Sequence, residues 1–106
     1  MSYDVDVVCP HCGRGDGAGW NYTSNMGPAW REAGADLADF NGKLASGCAP
    51  ILSRAIEVMA ANREEYARRF DASNGWGSMD TLIPALRELL ATMQDANPGE
   101  IVRVSR

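Results

Sequence analysis

Two apolar stripes at helical spacing constrain this chain more than any other feature. Ile51, Leu52, Ala55, Ile56, Met59 and Ala60 recur on one helix face, while Arg54, Glu57 and Asn62 fall off it. Leu82, Ile83, Leu86, Leu89, Leu90 and Met93 repeat the pattern farther along. A helix with one apolar stripe must bury it against another element. The chain ends offer a partner. Tyr3, Val5 and Val7 alternate with Asp4 and Asp6, the two-residue period of a half-buried strand. Residues 20–24 read as a second short strand after the turn-rich residues 9–19. Residues 101–104 alternate again beyond the breaker Asn97-Pro98-Gly99. The expected fold is α+β: a small antiparallel sheet formed by an N-terminal hairpin and a C-terminal strand, packed against three to four helices. It forms one domain over residues 1–106, with the two terminal strands able to pair.

Local signals set the expected boundaries. Pro28 suits the first turn of a short helix carrying Trp30, and Gly34 suits its C-terminal cap. Residues 35–43 are expected to be irregular or a single helical turn ending at Asn41-Gly42. Ser46 is the expected N-cap of the first long helix, which puts Pro50 at the edge of its first turn. Asn62-Arg63-Glu64-Glu65 reads as a capping box, followed by Glu64–Arg68 and Glu65–Arg69 at i,i+4. Residues 71–77 read as a loop. Asp80 as N-cap of the last helix repeats the offset from Ser46 to Pro50. Ser78 is its rival, and would require Pro84 in the second turn.

The chain has 106 residues, 45% hydrophobic and 23% charged, which fits one ordinary domain and excludes a disordered tail or a disulfide-dense scaffold. Its formal charge of -4 gives no electrostatic help to non-specific nucleic-acid or anionic-membrane binding. No window is apolar enough for a membrane span, and the N-terminus lacks the basic and apolar regions of a signal peptide. Three cysteines is an odd number, so a reduced, cytoplasmic setting is expected, with Asn21-Tyr22-Thr23 a chance glycosylation sequon.

Cys9-Pro10-His11-Cys12-Gly13 has the form of a zinc knuckle, in which a tight turn aims backbone N–H groups at two thiolates. A closed site needs four ligands. Cys48 is the remaining thiol, so the candidate metal set is Cys9, Cys12 and Cys48, completed by an acidic residue or a neighbouring chain. The competing reading is a hairpin turn with incidental thiols. In a strand, Asn21, Thr23 and Asn25 project from one face, a row of two carboxamides and a hydroxyl that can read the polar edge of a base or a ribose. Against this, Asn25 can cap the helix at Pro28 and Asn21 can serve a turn. Asn74-Gly75-Trp76-Gly77 places a ring between two glycines, either as a plug over the core or as a stacking surface. Trp20, Trp30 and Trp76 either line one pocket or supply the core's aromatic mass. Catalytic constellations are poor. His11 is the single histidine, Cys48 has no base beside it in sequence, and Asp36 and Asp39 read as a solvated surface. No enzyme is expected.

The segment Asn21-Tyr22-Thr23-Ser24-Asn25, then Trp30, Cys48-Ala49-Pro50 opening a helix, Asn74-Gly75-Trp76-Gly77 and the terminal Ile101-Val102-Arg103-Val104-Ser105 form a combination. It resembles a family of small proteins of bacteriophages and their actinobacterial hosts with N-[YI]-T-x-N and N-G-W-G motifs. Arginine at nine of the ten basic positions fits a GC-rich genome of that kind. The resemblance implies an origin and a fold, and makes a metal at Cys9 and Cys12 an optional reinforcement. The expected function is a phage accessory protein that binds a small polar ligand, sequestering a nucleotide-derived host defence signal. Asn21, Thr23, Asn25, Trp30, Asn74 and Trp76 form the candidate ligand site, with Trp76 or Trp20 stacking and Arg31, Arg54 or Arg103 available for a phosphate. The alternative is an interaction module that inhibits or redirects a host protein through a helix face or sheet edge. A zinc-supported structural domain is a third reading. The expected partners are thus a small polar molecule, a host protein or a second copy of the chain.

Overall fold

The computed structural model describes residues 2–13, 19–71, 75 and 77–105. Three strands, β1 (Ser2–Val8), β2 (Trp20–Thr23) and β3 (Ile101–Ser105), flank four helices: α1 (Gly27–Glu32), α2 (Ala45–Ala61), α3 (Arg63–Phe70) and α4 (Met79–Gln94). Short 3-10 turns at Ser24–Met26 and Leu37–Phe40 join them. The strands form one antiparallel sheet in the order β2-β1-β3. The N-terminal hairpin and the C-terminal strand are therefore both present, and the two terminal strands do pair.

Register follows from alternation. Tyr3 stands opposite Tyr22 and Val5 opposite Trp20 on one side. Val5 meets Val104 and Val7 meets Val102 on the other. Because side chains alternate across a strand, these residues all project to the same face, and the helices cover it. There Tyr3, Val5, Val7 and Val102 join Leu52, Ala55, Ile56 and Met59 of α2 and Leu82, Ile83, Leu86, Leu89 and Met93 of α4 in one core. Each fully buried aliphatic or aromatic side chain contributes about 1.5–3 kcal/mol relative to an exposed one. Trp30 is the largest fully buried side chain and meets the Tyr3 ring edge to face, with centroids 5.1 Å apart and planes at 87°. Among the described residues, no helix is long and apolar enough to cross a membrane.

The long helices begin two residues earlier than Ser46 and Asp80 suggest. The N-cap of α2 is Leu44 and that of α4 is Ser78, the rival reading. Neither cap uses its own side chain. Distant groups satisfy the first amides instead: Ala45 N–H donates to the Glu100 carbonyl (3.0 Å), and Met79 N–H donates to Asp71 Oδ1 (2.8 Å). Pro50 and Pro84 consequently lie inside their helices, both at the same second-turn position. Asn62 is not a box cap for α3; its Nδ2 donates back to the Val58 carbonyl and closes the end of α2 (2.9 Å). Arg69 reaches Glu32 of α1 (3.5 Å), not Glu65, and Arg63 pairs with Asp80. Gly34, with φ of 105°, follows the last residues of α1 as expected.

Strand β3 is not a bare edge. Gly42 N–H donates to the Val102 carbonyl, Val102 N–H to the Lys43 carbonyl, and Val104 N–H to Asn41 Oδ1, all within 2.9 Å. The segment from Asn41 to Ala45 thus lies along the strand's outer side and protects it from pairing with other chains. Replacing Trp30 by alanine should lower unfolding stability by about 3–5 kcal/mol in a urea titration, since it removes a packed ring from the interior.

Candidate functional site

The outer face of the sheet carries the polar residues. Asn21 stands opposite Asp4 and Thr23 opposite Ser2. Asn21 Nδ2 donates to Asp4 Oδ1 (2.6 Å) and to Ser2 Oγ (3.2 Å), so the amide is held flat across the two strands. On the other flank Arg103 reaches Asp6 (3.5 Å). Thr23 ends β2. Its Oγ1 accepts from Asn25 N–H (3.3 Å) and turns the chain into the first 3-10 turn. Asn25 therefore does not extend the row; it follows round the corner, exposed. Nor does it occupy the N-cap of α1, which is Met26.

The aromatic rings lie on the opposite side. Trp20 donates its indole N–H to the Ala85 carbonyl of α4 (2.7 Å) and stacks on Tyr22, with centroids 6.0 Å apart at 20°. Trp30 was expected among the ligand contacts. It is instead sealed in the core beneath the sheet, where a ligand on the outer face cannot touch it. Its indole N–H has no hydrogen-bond partner among the described residues. Asn74 and Trp76 lie outside the described residues.

Gly77 shows how the two sequence motifs relate. It has φ of 121°, and a Cβ there would stand 2.7 Å from Met26 Cγ and 3.0 Å from Thr23 Cγ2. The end of the Asn-Gly-Trp-Gly loop is thus pressed against the corner where β2 becomes the 3-10 turn, and only glycine permits both the backbone angle and the approach. Tyr22 ties the same junction: its hydroxyl lies within hydrogen-bond reach of the Ser78 carbonyl (3.2 Å) and Thr81 Oγ1 (2.5 Å). Arg31 folds back over Gly27, with a guanidinium nitrogen 2.9 Å from where a Gly27 Cβ would be. A cation is thereby brought beside the turn that carries Asn25. Arg103 and Arg54 are elsewhere, on the sheet's outer face and along α2.

The cysteine turn has the local form of a knuckle. Gly13, with φ of 73°, donates its N–H to the Cys9 carbonyl (2.8 Å). The Cys12 N–H and then the His11 N–H point at the Cys9 sulfur, with the Cys12 side chain a further partner, and together they hold the Cys9 thiol below its ordinary pKa. Cys9 is half-buried and Cys12 exposed. Cys48 does not join them. It is buried in α2, and burial pushes its thiol up. Among the described residues no three of His, Cys, Asp and Glu come together as a metal site. The expected set of three cysteines is therefore a pair and a separate core thiol.

One surface was missed in the sequence. Ile51, assigned to the buried stripe of α2, is 48% exposed, and Leu44 is 51% exposed. Leu44 precedes α2 in extended backbone, and Ile51 lies in the helix's second turn. Beside Ile51 a groove of about 420 Å³ is lined by Ala33, Gly34, Pro50 and Arg54. The helical period marks which residues share a face but not how wide the covered face is, so Ile51 at the stripe's margin carried no signal of exposure.

Two outcomes follow. Gly77→Ala should cost at least about 1 kcal/mol, seen as a lowered urea midpoint, because the substitution is strained and crowded at once. In reduced, metal-free protein, iodoacetamide at neutral pH should label Cys9 well before Cys48, with the Cys9 rate falling as pH drops through its lowered pKa; peptide mass mapping reads both. Comparison with protein-family models, with curated proteins and with solved structures finds no match for this chain.

Proposed function

We propose that this chain is a non-catalytic phage accessory protein that binds a small, polar, anionic molecule of the nucleotide-derived class. The proposed site is the corner formed by Thr23, Asn25, Arg31 and Gly77. The observation that supports this reading is the close approach of Gly77, where an added Cβ would meet Thr23 and Met26 at the corner that carries Asn25. Asn21 adds a fixed amide on the adjoining strand, and Arg31 supplies the charge that a phosphate requires. Sequestration of a host defence signal is the biological role this chemistry suits.

Native mass spectrometry of protein purified without chelator, followed by denaturation, tests this reading. A stoichiometric nucleotide-sized mass should come off. Asn25→Ala and Arg31→Ala should each weaken rebinding at least ten-fold while leaving the melting temperature nearly unchanged. A bare chain that binds nothing from a panel of linear and cyclic nucleotides removes the proposal.

A second reading has its own observation. Exposed Ile51, with the groove beside it, gives α2 an apolar spot of the kind that docks a protein segment. If a host protein is the target, Ile51→Asp should abolish a stoichiometric complex that Asn25→Ala retains. Loss with Asn25→Ala and retention with Ile51→Asp would assign the complex to the polar corner.

A further inference from the structure

The turn at Cys9–Gly13 has the form of one knuckle of a tetrathiolate site. It carries two cysteines three positions apart just after β1, it is closed by the Gly13 N–H on the Cys9 carbonyl (2.8 Å), and Gly13 leaves it at φ of 73°. A tight turn of this kind sets two thiolates on one side of the chain, beside a single metal position. A hairpin turn alone needs no sulfur.

A second pair of ligands is lacking among the described residues. Cys48 is enclosed in α2, and no third His, Cys, Asp or Glu among the described residues joins the knuckle. Pro10, His11 and Cys12 are all exposed, so the turn projects from the body of the protein. Zinc in a structural site takes four ligands in a tetrahedron, with Zn–S of about 2.3 Å. A two-fold axis through the metal converts one pair of thiolates into four without any further residue.

We propose that Zn²⁺ joins two copies of this chain, each giving Cys9 and Cys12, in a symmetric four-thiolate site. Binding releases the thiol protons, and the bound unit carries two negative charges in total, one cation of charge two against four thiolates. Arg103 is the cation placed to offset them: its guanidinium lies 3.9 Å from where a Cβ of Gly13 would stand. The site is independent of the polar corner, which lies at the far end of β2 from the knuckle loop.

The test uses the full chain, reduced and stripped of metal, titrated with Zn²⁺ and followed by native mass spectrometry and sedimentation velocity. The expected result is conversion of monomer to dimer, complete at one zinc per two chains and reversed by chelator. Co²⁺ in place of zinc should give the absorption of a tetrahedral four-thiolate centre. Cys9→Ser and Cys12→Ser should each abolish metal uptake and dimerisation together while keeping the monomer's melting temperature. Cys48→Ala should retain both. One zinc per chain in a monomer would overturn the proposal by showing the site to be completed within the chain. Failure to bind zinc, or a dimer indifferent to chelator and to Cys12→Ser, would overturn it as well.

Discussion

Strand β1 hydrogen-bonds on both sides, to β2 and to β3, and presses Tyr3, Val5 and Val7 onto the helices. Remove that strand and the other two have no common neighbour, and α2 and α4 lose the surface that covers their stripes. Its alternation also separates the molecule's chemistry. Odd-numbered residues carry apolar mass into the interior, and even-numbered ones carry Ser2, Asp4 and Asp6 outward. Several of the groups discussed as candidates for recognition take their positions from this division. Asn21 is aligned by Asp4 and Ser2, Arg103 is drawn to Asp6, and the cysteine turn begins where β1 ends.

The same division explains why Trp20 and Tyr22 do not form a ligand platform on the outer face of the sheet. Trp20 and Tyr22 alternate with Asn21 and Thr23, so a strand that shows its polar residues to solvent must turn its rings inward. Trp20 then gives its indole N–H to a carbonyl of α4, and Tyr22 places its hydroxyl at the start of the same helix. These rings fasten β2 to α4. The proposed recognition surface is left with amides, hydroxyls and one nearby guanidinium, a set suited to a hydrogen-bonding ligand with charge.

Much of the architecture was legible because it rests on periodicity. The two-residue period of Tyr3, Val5 and Val7 and of residues 101–104 located the sheet, and the stripes of α2 and α4 located the helices. The helix starts were not legible, for a definite reason. Ser46 and Asp80 are good local caps, but the first amides of α2 and α4 are satisfied by Glu100 and Asp71, groups no local signal can announce. Asn62 is similar in kind: a residue suited to open one helix is used to close the one before it. At the candidate site, the row of Asn21 and Thr23 followed from strand alternation. The departure of Asn25 from it did not, because the strand ends at Thr23 through a hydrogen bond made by Thr23 itself. The placement of Gly77 against Thr23 and Met26 is a tertiary fact, and the glycine's presence in the sequence hinted only at a loop.

Pairing the first strand with the last has a consequence for how the protein is made. Asp6 and Arg103 meet across 97 residues of chain. As the polypeptide emerges from the ribosome, β1 can form its hairpin with β2 early, but its other side must wait until residues 101–105 have been synthesised. During that interval α2 can find α4 before the sheet is complete, and β3 acts as the closing member of the sheet. Contacts this far apart in sequence are slow to form, so the half-built sheet, with one side of β1 still open, is the state in which a newly made chain is most exposed to joining its neighbours.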